Sequence, residues 1–276
     1  MMKKLLSLLL LLLPLGAIAQ DAASYSIISY NIRNSSAGDG SNAWNLRRQA
    51  TLNMVNAEQP DLIGTQEVLL DQKKYLKQNL SDYKVIGVGR DDGHRVGECM
   101  AILVKKSRFK VLKSGTLWLS ETPEKVSFGW DGACRRTVTW VKVRDKKTRQ
   151  ELYYFNTHLD HVGKIARREA VLLLCDIIDK MVPAGVPVIL GGDLNSDIRD
   201  NIFRPLEAHG LAAAREITAE TSHLNTYNGF GSGSGVIDHF FIRGIEPHRF
   251  ATLNGDYGAT YISDHYPIRL DFDIRR

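Results

Sequence analysis

Short apolar and β-branched runs alternate along the chain with longer segments of helical periodicity, beginning at residue 25. Apolar positions that recur every three or four residues predict helices, and short runs rich in Val, Ile, Tyr and Phe predict strands. The predicted strands are 25–30, 61–65, 83–87, 100–104, 109–119, 137–144, 151–156, 186–190, 237–242 and 268–272. The predicted helices are 44–58, 70–79, 164–181 and 200–208. This alternation predicts an α/β fold.

Several of the central strands follow each other with only turn residues between them. The charged segment from Asp145 to Arg149 separates two such runs and predicts a solvated hairpin turn. Hairpins join antiparallel strands, whereas strand–helix–strand units join parallel ones. A chain with both kinds of connection predicts mixed sheets.

The N-terminus has the order of segments that is typical of a secretory signal peptide. Lys3 and Lys4 precede a leucine-rich stretch from Leu5 to Leu13, and small residues follow at 16–19. The stretch is shorter than the roughly 20 residues of a membrane span, although an uncleaved anchor helix is the alternative. We expect a signal peptide at 1–19, a single domain at 20–276 without a stable membrane anchor, and a secreted or periplasmic protein.

Charge and cysteine content restrict the fold and the partners only slightly. Removal of Lys3 and Lys4 lowers the formal net charge from +5 to +3, which is too small to indicate a nucleic-acid partner. The three cysteines are Cys99, Cys134 and Cys175, and their spacing is that of neither a disulfide framework nor a structural zinc site. We expect a monomer whose fold does not depend on disulfides.

Polar and titratable side chains follow the apolar runs at the ends of several predicted strands. These groups are Asn31 after the first run, Glu67 after the second, His158, and Asp193 with Asn195. Nearer the C-terminus, Asp238 with His239 and Asp264 with His265 supply two more Asp-His steps. Strand ends that open into loops are where sheets collect their active-site groups. Each group alone is weak evidence for an active site, because an Asp after two glycines, for example, is more often a turn residue. Together they predict phosphoryl transfer at a hard cation.

These motifs resemble those of the endonuclease/exonuclease/phosphatase superfamily, which includes deoxyribonuclease I, apurinic endonucleases, inositol polyphosphate phosphatases and bacterial sphingomyelinases. The motifs are Ser-Tyr-Asn-Ile-Arg at 29–33, Gly-Thr-Gln-Glu-Val at 64–68, Asn-Thr-His-Leu-Asp at 156–160, Gly-Gly-Asp-Leu-Asn-Ser at 191–196, Ile-Asp-His at 237–239 and Ser-Asp-His-Tyr-Pro at 263–267. Further segments resemble an uncharacterised secreted bacterial branch. The resemblance implies a four-layer α/β sandwich, with two mixed sheets packed face to face and flanked by helices.

The resemblance also implies a cofactor and the residues that bind it. Glu67 would be the principal Mg²⁺ or Mn²⁺ ligand, with Asn31 and Asp264 close to the metal or to its bound waters. Such oxygen-rich ligation suits Mg²⁺. Asp193 would deprotonate the attacking water, and Asn195 would position that water or a phosphate oxygen.

The same resemblance assigns two histidines to the phosphate. His158 and His265 would contact its oxygens, with Glu98 as the acid that orients His158 and Asp238 as the acid that orients His265. Arg136 is a candidate for a further phosphate contact, because a guanidinium matches phosphate oxygens, although a surface ion pair explains it equally well.

The sequence therefore predicts an exported, metal-dependent phosphoester hydrolase, either a phosphodiesterase or nuclease, or a phosphatase. Its substrate would be a nucleic acid, a sugar phosphate or a phospholipid headgroup, because one reaction centre serves all of these in the superfamily. The alternative is a non-catalytic binding protein on the same fold.

Overall fold

Two mixed β-sheets form the centre of the molecule, and the computed structural model describes residues 24–275. The strands are β1 (Tyr25–Asn31), β2 (Leu62–Val68), β3 (Tyr83–Ile86), β4 (Cys99–Lys105), β5 (Phe109–Trp118), β6 (Thr137–Asp145), β7 (Glu151–His158), β8 (Val188–Asp193), β9 (Ala212–Ala213), β10 (Glu220–Thr221), β11 (Asp238–Arg243), β12 (Ile245–Thr252) and β13 (Ile268–Ile274). The helices are α1 (Trp44–Glu58), α2 (Leu70–Asn79), α3 (Lys164–Met181), α4 (Arg204–Ala208) and α5 (Ala214–Ile217). The signal peptide predicted at residues 1–19 lies outside the described residues.

The strand orders confirm the mixed sheets. The first sheet has the order β10-β12-β13-β1-β2-β4-β3, and the second has the order β5-β6-β7-β8-β11-β9. The neighbours β1 and β2 are parallel, as are β7 and β8, whereas β1 and β13 are antiparallel. The parallel pairs place the carboxyl ends of four strands at one end of the molecule, where the motif residues lie.

Three apolar layers hold the four structural layers together. Between the sheets lie residues such as Ile27, Ile102 and Phe240, all buried. One outer layer packs α3 on the second sheet, and the other packs α1 and α2 on the first. The predicted four-layer α/β sandwich is confirmed. Within residues 24–275, no helix combines the length and the hydropathy that crossing a bilayer requires.

A small polar layer connects the sheets directly beneath the end that carries the motifs. Gln66 Nε2 donates to Asn156 Oδ1 across the interface at 2.7 Å. Asn156 Nδ2 donates in return to the backbone oxygens of Thr65 and Ala101 at 3.0 and 3.1 Å. Gly64 makes this close approach feasible, because a Cβ at that position would lie 1.8 Å from the hydroxyl oxygen of Tyr154. The glycine of the Gly-Thr-Gln-Glu motif is therefore a packing requirement.

Three predictions about the elements need correction. Strands β1, β2, β7 and β8 continue past their predicted ends, so that Asn31, Glu67, His158 and Asp193 belong to the strands themselves. The predicted helix at 200–208 is divided into a 3-10 turn and the short α4, since Pro205 lies in the first turn of α4. Strand β12 was missed, because Pro247 and a bulge before Arg249 interrupt its alternation.

Candidate active site

A cavity of about 460 Å³ opens at the motif-bearing end of the sandwich. Its lining comprises Arg33, Asn34, Glu67, Arg90, Glu98, Cys134, Arg136, His158, His161, Asp193, Asn195, Tyr227, Ile237, Asp264 and His265. Eight of the ten residues predicted from the sequence are in this lining, and the other two, Asn31 and Asp238, bond directly to residues in it. The structure therefore brings both sheets' motifs to one place.

Glu67 is presented to the cavity by an irregularity in β2. The pairing of β2 with β4 shifts register between Thr65 and Val68, and Glu67 has a φ of 61°. Such left-handed backbone in a non-glycine residue is typical of functional sites and costs about 1–3 kcal/mol. Glu67 accepts hydrogen bonds from Asn31 Nδ2 at 3.0 Å and from the backbone and side chain of Asn34 at 3.1 and 3.0 Å. Burial raises its pKa, but these bonds outweigh burial and keep the group ionised.

Asn31 connects the two carboxylates of the predicted reaction. Its Nδ2 donates to Glu67 Oε1 and to Asp193 Oδ2, both at 3.0 Å. Its Oδ1 accepts from the backbone N–H of Arg33 at 3.0 Å. Asn31 therefore orients Glu67 and Asp193, and its side-chain oxygen keeps a second lone pair that a cation or its bound water could use.

Asp264 lies in the loop before β13 and faces Glu67 across the cavity. Its Oδ1 accepts from Ser263 Oγ at 3.1 Å, and its Oδ2 lies 3.5 Å from Arg33 Nη1. Burial raises the pKa of Asp264, with the charge of His265 opposing this effect. The loop is held by backbone bonds from Asn228 and Gly229 to the Asp264 carbonyl oxygen, at 2.8 and 3.0 Å.

Asp193 ends β8 and points towards both predicted phosphate-binding histidines. Its Oδ2 lies 3.4 Å from His158 Nε2 and 3.6 Å from His265 Nε2. Burial raises the pKa of Asp193, an effect that the charge of His265 opposes and that of Asp238 strengthens. Gly192 precedes it at a φ of 148°, where a Cβ would lie 1.9 Å from the Thr157 carbonyl oxygen.

Asn195 follows Asp193 with a left-handed backbone of φ 48°. Its N–H donates to Asp193 Oδ1 at 3.0 Å, and its Nδ2 donates to the Leu159 carbonyl oxygen at 2.9 Å. The side-chain oxygen of Asn195 thereby remains available to a group in the cavity that the residue lines. That position suits a group that accepts a hydrogen bond from an attacking water.

His265 and Asp238 form the expected pair of imidazole and carboxylate. Nδ1 of His265 lies 2.8 Å from Asp238 Oδ2, and both residues are buried. Burial lowers the pKa of His265, but the carboxylates of Asp238 and Asp193 outweigh burial and raise it to about 10. His265 is therefore a cation at neutral pH.

Glu98 does not have the partner that the resemblance implied. Its Oε2 accepts from Arg90 Nη1 at 2.6 Å, and Nδ1 of His158 is buried without a hydrogen-bond partner among residues 24–275. Burial lowers the pKa of His158, and the charges of Arg136 and Arg90 lower it further. We therefore correct the expected pair: Glu98 is bonded to Arg90, and His158 is neutral.

Arg136 is a buried residue of the cavity wall rather than a surface arginine. It is 6% exposed, its Nε donates to Asp160 Oδ2 at 3.3 Å, and its Nη2 donates to His161 Nδ1 at 2.9 Å. Its Nη1 is buried without a partner within the described part of the chain. The two N–H groups of Nη1 are thus left for a ligand, as the predicted phosphate contact requires.

Sequence reasoning missed Arg33, Arg90 and His161. His161 could have been found, because it follows the predicted His158 by three residues in the loop after β7. Arg33 is the last residue of the first motif, where it received no role. Arg90 has no motif or periodicity that distinguishes it from other loop arginines.

Two groups of acidic residues in the cavity could attract a divalent cation. Asp193, Asp238 and His265 have ligand atoms within 4.8 Å of one another, but the imidazolium of His265 already neutralises this group. Glu67 and Asp264 also offer carboxylate oxygens, although Arg33 Nη1 lies 3.5 Å from Asp264 Oδ2. Carboxylate oxygens are the ligands that Mg²⁺ and Mn²⁺ prefer. The chemistry of this donor set therefore fits the divalent cation that the resemblance implied.

The chain is similar to proteins of known family. The family model described as Endonuclease/Exonuclease/phosphatase family matches residues 28–265. An endonuclease/exonuclease/phosphatase from Bacteroides vulgatus has a TM-score of 0.87 at 30% identity, covering 92% of this chain and 100% of that one. A mannosyl-6-phosphatase of Bacteroides thetaiotaomicron has a TM-score of 0.84 at 32% identity, covering 90% of this chain and 99% of that one. The human tyrosyl-DNA phosphodiesterase 2 is 28% identical over 181 residues, which are 64% of this chain and 43% of that protein.

Proposed function

The chain belongs to the endonuclease/exonuclease/phosphatase family, and from this premise we propose that it hydrolyses a phosphate ester with a divalent cation and a water molecule that Asp193 activates. The observation that carries the proposal is the double hydrogen bond of Asn31. This amide fixes Glu67, the principal cation ligand, and Asp193, the base, at 3.0 Å on either side of one nitrogen. The positions of the cation ligand and of the base relative to each other are thereby fixed.

The cation would be Mg²⁺ or Mn²⁺, held by Glu67 and Asp264. When bound, it supplies Lewis-acid neutralisation of the charge on the phosphate oxygens. Its positive charge would also favour the ionised forms of the nearby carboxylates, whose pKa burial otherwise raises.

Side chains of this protein accept the proton of the water and bind the phosphate. Asp193 Oδ2 takes a proton from the attacking water, which Asn195 orients, as the water oxygen bonds to phosphorus. The P–O bond to the alcohol then breaks, and the leaving alcohol oxygen takes a proton from solvent. A positioned base of this kind contributes about 10²–10⁴ in rate. His265, as an imidazolium, donates from Nε2 to a phosphate oxygen as charge develops there. Asp238 keeps His265 charged and correctly oriented.

His158 and Arg136 complete the phosphate site. The neutral His158 offers a hydrogen bond without adding charge, and Arg136 offers the two unpaired N–H groups of Nη1. The buried carboxylate of Asp160 neutralises Arg136 from behind and fixes its guanidinium plane.

The relatives support two substrate classes. The mannosyl-6-phosphatase, at 32% identity, supports a sugar phosphate monoester. Tyrosyl-DNA phosphodiesterase 2 supports a phosphodiester linked to DNA, although the match covers only 43% of that protein. A phospholipid headgroup is the third class that the motifs admit.

Export is part of the proposal. The charged and leucine-rich residues at 1–19 support a signal peptide whose removal would release a secreted or periplasmic protein. Sequencing the N-terminus of the protein recovered from the medium or periplasm tests this. A mature protein that still begins at Met1 would contradict it.

The hydrolysis is tested with the protein lacking residues 1–19 and a panel of phosphomonoesters, nucleic acids and phospholipids. Each is incubated with Mg²⁺, with Mn²⁺ and with EDTA. We expect metal-dependent release of phosphate or alcohol that falls at least about 100-fold in Asp193→Ala. Asp82→Ala, at an exposed aspartate, is the matched control and keeps full activity. A folded wild type that binds metal but hydrolyses nothing would favour the non-catalytic binding protein.

A further inference from the structure

One part of the cavity wall makes no hydrogen bond to a group of the proposed reaction. Arg90 and Glu98 line the cavity, and both come from the segment 87–98 between β3 and β4. Arg90 Nη1 donates to Glu98 Oε2 at 2.6 Å, and the two side chains are 12% and 15% exposed. They are therefore largely removed from bulk water, beside the reaction centre, and bonded to each other rather than to a catalytic group.

Hydrogen bonds within the segment 87–98 hold it in one conformation. Asp92 Oδ1 accepts from the backbone N–H groups of His94, Arg95 and Val96, at 2.7, 2.8 and 2.9 Å. The Arg90 N–H donates to the Glu98 carbonyl oxygen at 3.0 Å. These bonds close the segment on itself and hold the two side chains in the wall before a ligand arrives.

A neighbouring element supports the segment from outside. Trp118 Nε1, at the end of β5, donates to the Arg90 carbonyl oxygen at 2.8 Å. Gly97 has a φ of 81°, and a Cβ there would lie 2.3 Å from the carboxylate of Asp91. The wall thus depends on a particular backbone path, which fixes the direction of both side chains.

The pair has hydrogen-bonding capacity left over. A guanidinium has five N–H donors, and a carboxylate has two oxygens that each accept more than one bond. In the described part of the chain, Glu98 is bonded to Arg90 through Oε2 alone. The wall therefore presents donors and acceptors side by side, at nearly zero net charge.

The chemistry of this wall matches a hydroxyl group, which donates one hydrogen bond and accepts others. We propose that Arg90 and Glu98 bind hydroxyl groups of the alcohol half of the substrate, so that the enzyme acts on phosphate esters of small polyhydroxylated alcohols. Sugars and cyclic polyols share this chemistry. The inference rests on the proposed hydrolase function and specifies its substrate class.

Other alcohols fit the wall less well. A second phosphate group would be bound best by a wall of net positive charge, whereas here the carboxylate of Glu98 cancels the charge of Arg90. A nucleobase needs an aromatic face on which to stack, and Tyr227 is the aromatic side chain in the lining. Its ring lies edge-on to His265, with the ring centroids 5.1 Å apart, and so it belongs to the reaction centre. A lipid chain needs an apolar wall, whereas this one is charged.

The test compares two kinds of ester on the same reaction centre. Glucose, mannose and inositol monophosphates carry hydroxyl groups, phenyl phosphate carries none, and a nitrophenyl diester of thymidine represents a nucleic-acid end. We expect wild-type kcat/KM for at least one polyol phosphate to exceed that for phenyl phosphate by about 100-fold. In Glu98→Ala this ratio should fall at least about tenfold, since hydrogen bonds to a charged group contribute that much. Glu98→Gln, which keeps the size of the side chain, should lower the ratio less.

The outcomes separate this inference from the proposed function. Equal losses on both esters in a folded Glu98→Ala protein would assign Glu98 to the reaction centre and overturn the hydroxyl site. A wild-type preference for the thymidine diester would also overturn it while leaving the hydrolase function intact. Absence of metal-dependent hydrolysis of every ester, phenyl phosphate included, would overturn the hydrolase function itself. Glu246→Gln, at an exposed position on β12, is the control and should leave the ratio unchanged.

Discussion

The Nδ1 atom of His265 lies 2.8 Å from Asp238 Oδ2, in a contact from which solvent is almost entirely excluded. The Thr226 hydroxyl oxygen accepts a hydrogen bond from the backbone N–H of Asp238 at 3.1 Å and so holds the backbone of Asp238 in place. A carboxylate in this position fixes the ring orientation and stabilises the charged imidazole. The charge of His265 therefore depends on Asp238.

Replacement of Asp238 by Asn should consequently reduce catalysis without loss of the fold. We expect kcat to fall by about 100-fold or more and the alkaline limb of the kcat profile to move to lower pH, since the pKa of His265 falls when its carboxylate is removed. Steady-state kinetics between pH 5 and pH 10 measures both effects. Asp145→Asn is the control, because Asp145 is equally buried but bonds to Arg108, and it should change stability alone. A similar loss of kcat in both variants would contradict the assignment.

The stability of the metal-free protein should fall as the pH rises through neutrality. The pKa of His265 is raised to about 10 in the folded protein, against about 6.5 in an unfolded chain. Its contribution is therefore fully present below about pH 6.5 and is lost as the pH rises toward 10. Urea unfolding in EDTA at several pH values measures the slope, and His265→Asn should flatten it. An unchanged slope in that variant would show that other groups dominate.

Glu67→Gln should weaken metal binding more than it weakens the fold. The amide keeps the shape of the side chain but removes the charge that attracts the cation, so the affinity for Mn²⁺ should fall at least about tenfold, or about 1.4 kcal/mol. Titration calorimetry of the purified protein with Mn²⁺ measures this directly. Glu121→Gln, at an exposed position, serves as the comparison and should bind Mn²⁺ like the wild type. Equal affinity in all three proteins would place the cation elsewhere.

Gly64→Ala should destabilise the sandwich by about 3 kcal/mol or more. The added Cβ would lie 1.8 Å from the Tyr154 hydroxyl oxygen and 2.7 Å from Asn156 Oδ1, both of the opposite sheet. Overpacking of a tight interior costs about 1–3 kcal/mol, and a contact this short requires the sheets to move apart. Urea unfolding compares it with Gly38→Ala, whose Cβ would meet nothing within 4 Å. A change of less than about 0.5 kcal/mol relative to that control would contradict the prediction.

The sequence predicted helices better than strand ends. Helices α1, α2 and α3 have the predicted bounds. The strands were predicted too short at their carboxyl ends, since polar residues such as Asn31 and Asp193 end the apolar pattern while the backbone pairing continues. Both side chains are buried although they are polar, so the apolar pattern could not show that the strands continue.

The candidate site was predictable as far as its residues belong to the motifs. Glu67, His158 and Asp193 could be found as polar residues at the ends of strands, and Asn195, Asp264 and His265 from motifs that lie in loops. The partner of Glu98 could not, because the ion pair with Arg90 depends on how the segment 87–98 folds between two strands. Its path is set by a left-handed glycine and an aspartate that accepts three backbone bonds, neither of which specifies which side chains will meet.

The polar contact between Gln66 and Asn156 has a consequence for how this molecule can change. It connects the two sheets directly beneath the reaction centre, which takes Glu67 from the first sheet and Asp193 from the second. The wall that we propose contacts the alcohol is a separate loop, residues 87–98, between β3 and β4. The residues that carry out hydrolysis and those that select the alcohol thus lie in different segments of the chain. Exchange of residues 87–98 should therefore change which alcohol is preferred, while the same reaction centre hydrolyses the phosphate ester.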